Sequence, residues 1–444
     1  MTEIKRKNNL ILGLFVALFK LSLGFITYPL YLHYLNSIEL SIFFLFVGTG
    51  SIIELLDFGF YGSITRYFAY ASGKPNEYKL NILLKISQIY YRWICVIAFF
   101  IVVVGFSLYL YLFVNLHHVK FMNYLLIWLL YGTSILIGIY FMYLSPLLVG
   151  FGFIDKVNKI SIVSRVAGLA VQTVFIVAGY GLLSIAIGAL CSTFIERIML
   201  LESVKKLNLD IHQKFEKIEF QNAFIKIWSV NYKLGLISLS WLFIAKINVF
   251  IAGLIIKDIT LLSEYLFSFQ MITVLLTIAH VPISNRFGDI SSLYVLDKIK
   301  AMNLFLKSNL QSIWIMVLCT ICLLLFGNLT LKLLHFKHGL LNWQYLLVIC
   351  VMYLFEKQLI NHATMISIRN EVPMMKSYLV TAGMVVVVTI ICSYVLKLGV
   401  WSVMLPQFIC QSCFNYWYWV KYNLSKEQIS IDKYYSSLLM WRIS

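Results

Sequence analysis

Long apolar runs separated by short polar breaks make up most of this chain. The runs recur from Leu10 almost to the C-terminus, and each has the roughly 20 residues that a helix needs to cross the hydrocarbon core of a bilayer. The pattern therefore predicts a membrane protein and excludes a water-soluble one. The first six predicted spans are Leu10–Leu32, Leu40–Gly62, Tyr91–Val114, Tyr124–Val149, Ile160–Val177 and Leu182–Leu201.

A polar, partly amphipathic stretch from Glu202 to Lys226 interrupts the series, and we interpret it as a connector between two halves. Six more apolar runs follow this connector. The whole pattern predicts an all-α integral membrane protein with about twelve transmembrane helices in two six-helix lobes. The parts are an N-lobe (1–201), a cytoplasmic connector (202–230), a C-lobe (231–424) and a cytoplasmic tail (425–444). The later spans are Tyr232–Ile256, Thr260–Ile283, Asn309–Leu331, Leu341–Ile366, Tyr378–Leu396 and Val400–Val420.

Composition and charge sharpen this prediction. Hydrophobic residues make up 61% of the chain and charged residues only 12%, against roughly 25% charged in ordinary globular chains. A net charge of +17 would suggest nucleic acid in a soluble protein, but about 28 of the Lys and Arg residues fall in alternate connections and only about five in the others. The positions of the basic residues therefore predict a topology with both termini in the cytoplasm. No nucleic-acid partner is expected.

Neither the cysteines nor the loops indicate chemistry. Nearly all eight cysteines sit inside apolar runs, where cysteine behaves as a small hydrophobe. The pairs Cys319/Cys322 and Cys410/Cys413 have neither a flanking histidine nor a second Cys-x-x-Cys pair in a polar loop. A role in helix packing is therefore favoured over zinc binding. No metal, cofactor or catalytic residue is predicted, and no connection is long enough for a soluble catalytic domain, so the chain is not expected to be an enzyme.

A small set of charged residues remains inside the apolar runs or at their ends. A charge at such depth costs about 2.5–3.5 kcal/mol on insertion scales, so these side chains should face a bundle interior or an aqueous cavity. They are the predicted substrate or cavity residues. The set is Lys20, Glu54, Asp57, Lys246, Glu356 and Lys357, with Arg66 and Arg286 near inner helix ends.

The charged set has more than one interpretation. Lys20 and Lys246 lie near the middle of the first and seventh spans, so they would together suit an anionic headgroup such as a phosphate. The alternative is that each lysine pairs with an acid of the set and holds helices together. Glu54 and Asp57 are three residues apart and share a helix face, and either proton exchange or ion pairing would fit them.

Two segments resemble a known family. The stretch Leu55–Ala69, which reads LLDFGFYGSITRYFA, resembles the Asp-Phe-Gly...Arg-Tyr segment of bacterial O-antigen and polysaccharide repeat-unit flippases. The stretch Pro146–Ala186 resembles the region where these transporters enter helix 5 and turn into helix 6. The two halves of the chain show weak sequence similarity, for example between Ile64–Arg66 and Ser284–Arg286, which agrees with parallel repeats.

The resemblance covers essentially the whole chain and points to the multidrug, oligosaccharidyl-lipid and polysaccharide exporter superfamily. It implies two six-helix lobes around a central cleft, rocking between inward-open and outward-open states. Helices 1, 2, 7 and 8 would line that cleft. The cavity residues would then be Lys20, Glu54, Asp57 and Lys246, with Arg66 and Arg286 at the inner mouth.

The resemblance also implies a function. The expected protein is a flippase that moves an undecaprenyl-diphosphate-linked oligosaccharide, such as an O-antigen repeat unit for lipopolysaccharide biosynthesis, from the cytoplasmic to the outer leaflet of the bacterial inner membrane. Its expected partners are that lipid, the surrounding membrane lipids and the polysaccharide polymerase machinery. The alternatives are a drug or metabolite antiporter of the same superfamily and an integral-membrane glycan polymerase or transferase.

Overall fold

The chain is helical throughout its described part. The computed structural model describes residues 27, 29–73, 79–116, 120–207, 217–336, 339–369, 372–430 and 434, and every regular element within these ranges is a helix. Nine helical segments there are long and apolar enough to cross a membrane, and they match predicted spans three to eleven. The prediction of an all-α membrane protein is confirmed, while most of the first span lies outside the described residues.

The chain divides into two compact units, Met1–Leu242 and Phe243–Ser444. In the first unit, a π-helical turn over Phe100–Phe106 continues the third helix into the fourth. The predicted connector falls partly outside the described residues, so the lobe boundaries stay a prediction. The helices are α1 (Ser37–Leu55), α2 (Phe60–Gly73), α3 (Leu80–Phe99), α4 (Ser107–Leu116), α5 (Phe121–Tyr140), α6 (Leu144–Gly150), α7 (Ile154–Val177), α8 (Leu182–Lys205) and α9 (Lys217–Trp241).

In the second unit, π-helical turns lie at Leu242–Lys246, directly after α9, and at Ile391–Val395. The helices are α10 (Ile247–Ile255), α11 (Ile259–Leu296), α12 (Lys298–Leu333), α13 (Trp343–Ile368), α14 (Met375–Ile390), α15 (Trp401–Cys413) and α16 (Asn415–Lys426). At about 1.5 Å per residue, the 38 residues of α11 span about 57 Å, more than a hydrocarbon core. The predicted span Thr260–Ile283 is therefore only part of this helix.

The predicted second span, Leu40–Gly62, is wrong as a single helix. Its chain turns between α1 and α2, where Phe58 and Gly59 have φ angles of 52° and 70°. Two consecutive residues in the left-handed region interrupt the helical hydrogen-bond ladder, and glycine adopts that region without a Cβ clash. The side chain of Asp57 accepts a hydrogen bond from the backbone N–H of Tyr61, which satisfies a free donor at the start of α2.

The predicted twelfth span, Val400–Val420, is also two helices, α15 and α16. Phe414 between them has φ −145° and ψ −57°, outside the helical region. The side-chain nitrogen of Asn415 donates to Thr381 Oγ1 at 2.8 Å and to Gln411 Oε1 at 2.7 Å beside this break. These side-chain bonds tie the break to α14 and α15.

Helices α7 and α8 pack closely against each other in the first unit. A Cβ atom added at Gly168 would lie 2.6 Å from the Ser192 Cβ and 2.8 Å from the Gly188 carbonyl oxygen. A Cβ at Gly188 would lie 2.8 Å from the Gln172 Cβ. Small residues at such positions let two membrane helices approach along their backbones.

Candidate functional site

Asp57 is a buried carboxylate held by neutral donors. Its side chain lies in the turn between α1 and α2, and the residue is only 8% exposed. The Tyr91 hydroxyl on α3 donates to Oδ1 at 2.7 Å, and the Tyr61 N–H donates to Oδ2 at 2.9 Å. No ion pair among the described residues involves Asp57. Both of its oxygens are therefore already hydrogen-bonded within the first unit.

Replacing Tyr91 with phenylalanine is expected to lower the free energy of unfolding by about 1–3 kcal/mol, because the Asp57 Oδ1 would lose its donor. The measurement is the thermal unfolding midpoint of the purified protein. Tyr111→Phe is the matched control, because Tyr111 lies on α4 and is 48% exposed. Equal midpoints for the two variants would argue against a structural role for the Tyr91–Asp57 bond.

A cavity of about 400 Å³ lies beside Asp57 inside the first unit. Residues from α1, α3, α5, α7 and α8 line it, and the charged lining residues are Asp57, Arg165, Glu196 and Arg197. We call it the N-unit cavity. A second cavity of about 320 Å³ shares Tyr131, Arg165, Ala189 and Ser192 with it, so the two adjoin.

Tyrosines also line these two cavities. Tyr91 lines the N-unit cavity and Tyr131 lines both. Tyr31, which is buried and lines the second cavity, accepts a hydrogen bond from the Gln172 side-chain amide. The cavities therefore combine charged groups with hydroxyl groups and aromatic rings.

Sequence reasoning missed the basic residues of the N-unit cavity. Arg165 and Arg197 were counted among the loop cations that set topology, whereas they lie within the membrane-crossing helices α7 and α8 and line a cavity. Both positions fall inside the predicted apolar spans Ile160–Val177 and Leu182–Leu201. Their position inside apolar spans was visible in the sequence, and it would have grouped Arg165 and Arg197 with the other membrane-depth charges.

Glu356 and Lys357 lie side by side on α13, and both are completely buried in the second unit. Because adjacent helical residues point in different directions, they have separate partners. Glu356 Oε2 accepts from the Tyr416 hydroxyl at 3.0 Å. Lys357 Nζ donates to His280 Nδ1 on α11 at 2.9 Å. Neither charge has an ion-pair partner among the described residues.

Further polar side chains follow along α13. The Asn361 amide donates to Asn309 Oδ1 at 2.8 Å, and both residues are fully buried. The imidazole of His362 lies between the Tyr434 hydroxyl, 3.0 Å from Nε2, and the Asn423 amide, 2.9 Å from Nδ1. The interior of the second unit therefore contains hydrogen-bonded polar groups over about two turns of α13.

Three predicted charges of the N-terminal half have different outcomes. Lys20 lies outside the described residues, and so does the side chain of Glu54. Arg66 is exposed on α2, and its Nη2 lies 3.4 Å from Ser63 Oγ. Ser63 in turn donates to the buried Asn231 on α9 at 2.6 Å. Arg66 is not among the residues that line the two cavities.

Two predicted cations lie in the second unit. Lys246 is half-buried at the end of a π-helical turn, and its Nζ is 5.9 Å from the centre of the Phe269 ring. Arg286 Nη1 donates to Ser308 Oγ and to Gln311 Oε1, both at 3.1 Å. In the part of the chain that the structure describes, no cluster of three His, Cys, Asp or Glu side chains could hold a metal ion.

No protein-family model and no curated protein matches the sequence. Among solved structures, an inward-facing multidrug resistance MATE family transporter of the MOP superfamily is similar, with a TM-score of 0.66, 13% identity and coverage of 93% of this chain and 94% of that one. The lipid II flippase MurJ in an inward closed conformation is also similar. Its TM-score is 0.60, its identity is 14%, and the match covers 98% of this chain and 89% of that one.

A third similar structure is a MOP superfamily transporter from Pyrococcus furiosus, described as having a binding pocket of reverse polarity. Its TM-score is 0.57, its identity is 13%, and the match covers 97% of this chain and 94% of that one. At these identities the likeness concerns the fold. The chain is thus a multi-pass membrane protein with the fold of MOP superfamily transporters.

Proposed function

We propose that the chain is a flippase that moves an undecaprenyl-diphosphate-linked oligosaccharide, such as an O-antigen or other surface polysaccharide repeat unit, across the bacterial inner membrane by alternating access. The observation that carries the proposal is Arg197 on the N-unit cavity, whose buried Nε makes no hydrogen bond within the described part of the chain, in a fold shared with a lipid II flippase. A membrane-buried cation facing a cavity favours an anionic cargo.

The distribution of membrane-depth cations supports the same cargo. Arg165 and Arg197 line the N-unit cavity, and Lys246 is half-buried in the second unit. A diphosphate would be attracted to such groups. Lys20, Glu54, Asp57, Arg66, Arg286, Glu356 and Lys357 remain proposed substrate or coupling residues.

The basic connections support an orientation. Lys and Arg accumulate in alternate connections, which favours cytoplasmic N- and C-termini. Cargo would then be collected in the leaflet where it is made and delivered to the outer leaflet. A polysaccharide polymerase would consume the delivered repeat unit and is the proposed functional partner. No covalent step at the protein is part of this proposal.

A drug antiporter is the second candidate function. Its support is the MATE transporter with a TM-score of 0.66, together with the buried carboxylates Asp57 and Glu356, which would suit a cationic cargo or coupling ion. This candidate predicts that loss of the protein changes sensitivity to cationic dyes while surface polysaccharide stays normal.

The test is a strain that lacks the protein, profiled for surface polysaccharide and for undecaprenyl-linked intermediates by leaflet. We expect complete repeat units to accumulate facing the cytoplasm. Repeat units that reach the outer leaflet unpolymerised would indicate a polymerase instead. Normal surface polysaccharide with altered dye sensitivity would indicate the antiporter.

In the same strain, Lys246→Ala and Lys20→Ala are expected to fail to restore surface polysaccharide while reaching wild-type abundance in the membrane. The reason is the loss of a membrane-depth cation that would hold the diphosphate. Lys257→Ala is the control, because Lys257 is exposed after the end of α10. Full restoration by both cavity variants would remove these lysines from the proposed site.

A further inference from the structure

A basic pocket of about 260 Å³ lies between the ends of α7 and α8. Its lining residues are all different from those of the two cavities described above. Lys156 and Lys159 come from the first two turns of α7, and Lys206 follows the last residue of α8. The acidic residue among the lining residues is Glu202, so three cations stand against one carboxylate. We call it the α7–α8 pocket.

The three lysines of this pocket are not neutralised by the chain itself. All three are exposed, and none of them belongs to an ion pair in the described part of the chain. Glu202 lies four residues before Lys206 on the same helix and forms no ion pair there either. Lysines at helix ends also set topology, but topology does not require three of them around one pocket. Their charge is therefore available to an anion from outside the chain.

Exposed apolar residues continue from the α7–α8 pocket along both helices. On α7, Val163 lines the pocket and is 49% exposed, and Val166, three residues later, is 46% exposed. On α8, Ile198 and Phe194 lie four and eight residues before Glu202 and are 40% and 57% exposed. Residues three or four apart share a helix face. Because a short turn joins the two packed helices, both apolar rows run from the pocket in the same direction.

We propose that the α7–α8 pocket binds an anionic phospholipid of the membrane, with the headgroup phosphate at Lys156, Lys159 and Lys206 and an acyl chain along the two apolar rows. Basic pockets between membrane helices are suited to anionic headgroups. The pocket is smaller than the roughly 300–1,000 Å³ of small-molecule sites, which fits a headgroup whose chains remain in the bilayer. A zwitterionic lipid also carries a cation, which the lysines repel, so it binds more weakly.

The occupant is a lipid of the bilayer rather than a soluble anion. A soluble phosphate would contact the lysines and leave the adjoining apolar rows unused, whereas a phospholipid matches both the charged end and the apolar rows. The N-unit cavity has its own lining residues, so a lipid in the α7–α8 pocket does not occupy the site proposed for the transported molecule. The inference therefore does not depend on the proposed function.

The test adds phosphatidylglycerol, an anionic phospholipid, or zwitterionic phosphatidylcholine to the full chain in a neutral detergent and measures bound lipid by native mass spectrometry. Phosphatidylglycerol is expected to bind the more tightly. Each lysine near an anionic headgroup contributes about fivefold, so replacing all three pocket lysines with glutamine should weaken phosphatidylglycerol binding about a hundredfold. Replacing them with arginine keeps the charge and should leave binding close to that of the wild type.

The matched control replaces three other exposed lysines with glutamine, so that the net charge changes equally. These are Lys298, Lys307 and Lys376, which lie outside the α7–α8 pocket. The control should bind phosphatidylglycerol like the wild type. Thermal unfolding midpoints show whether each variant is folded, and the lipid should raise the midpoint of the wild type and the control but not of the pocket variant. If the triple pocket variant does not fold, the single variant Lys206→Gln decides, with an expected loss of about fivefold.

Several outcomes would overturn the proposal. Equal losses in the pocket and control variants would show that only the net charge matters, and an unchanged affinity of the folded pocket variant would place the lipid elsewhere. Equal binding of phosphatidylcholine would remove the role of the anionic headgroup. Glycerol 3-phosphate, which has the phosphate without acyl chains, should not bind measurably, and binding as tight as that of the lipid would indicate a soluble ligand instead. None of these probes is the proposed cargo, so the result is separate from that of the deletion strain.

Discussion

Replacing Gly168 with isoleucine is expected to prevent α7 and α8 from packing together. A Cβ at this position would already lie 2.6 Å from the Ser192 Cβ and 2.8 Å from the Gly188 carbonyl oxygen. Because the Gly188 oxygen belongs to the backbone, it cannot move away by a rotamer change. Overpacking usually costs about 1–3 kcal/mol, and we expect the upper end of that range or more.

The measurement for Gly168→Ile is the thermal unfolding midpoint together with monodispersity on size-exclusion chromatography. Gly383→Ile is the matched control, because Gly383 lies within α14 and nothing stands within 4 Å of the position of its Cβ. The expected result is a lower midpoint and an aggregated fraction for Gly168→Ile alone. Indistinguishable behaviour of the two variants would contradict the close α7–α8 contact.

Replacing Lys357 with methionine is expected to abolish transport without lowering thermal stability. Lys357 is fully buried on α13, and its partner is the imidazole of His280 rather than an acid. Because Lys357 has no ion-pair partner among the described residues, its removal relieves the desolvation cost of a buried charge without breaking an ion pair. The thermal midpoint should therefore stay the same or rise, while the variant fails to restore surface polysaccharide.

The His280→Ala variant is the comparison for Lys357→Met. Its lysine loses the acceptor at 2.9 Å, so its free energy of unfolding should fall by about 1–3 kcal/mol. Restoration of surface polysaccharide by Lys357→Met would make this lysine structural rather than functional. A lower midpoint for Lys357→Met than for His280→Ala would show instead that the ammonium group stabilises the second unit.

The break between α1 and α2 shows what limits prediction of the fold. Residues 40–62 are apolar enough to predict one span, because hydropathy is averaged over a window and carries no information on φ. The chain nevertheless turns at Phe58 and Gly59, both with positive φ. The second predicted span that breaks does so at Phe414 between α15 and α16, where φ is −145° and ψ is −57°. Both of these predicted segments are helical for most of their length, but neither is one continuous helix.

The charged positions show the corresponding limit for the site. Asp57, Glu356 and Lys357 were identified from the sequence as membrane-depth charges, and the structure places all three in the interior of their units. Their partners, however, lie on other helices, 34 residues away for Asp57 and Tyr91 and 77 for Lys357 and His280. The packing of helices decides these contacts, and no local pattern encodes it.

The sequence by itself determined that this is an all-α membrane protein with helices in nearly all the predicted places. The reason is that a chain in hydrocarbon must satisfy its backbone hydrogen bonds internally, so apolar length translates directly into helix. Only the tertiary structure decided that Arg165 and Arg197 line a cavity with Asp57 and Glu196. A basic residue inside an apolar span serves topology or a site depending on which neighbours surround it, and that depends on the packing of five helices.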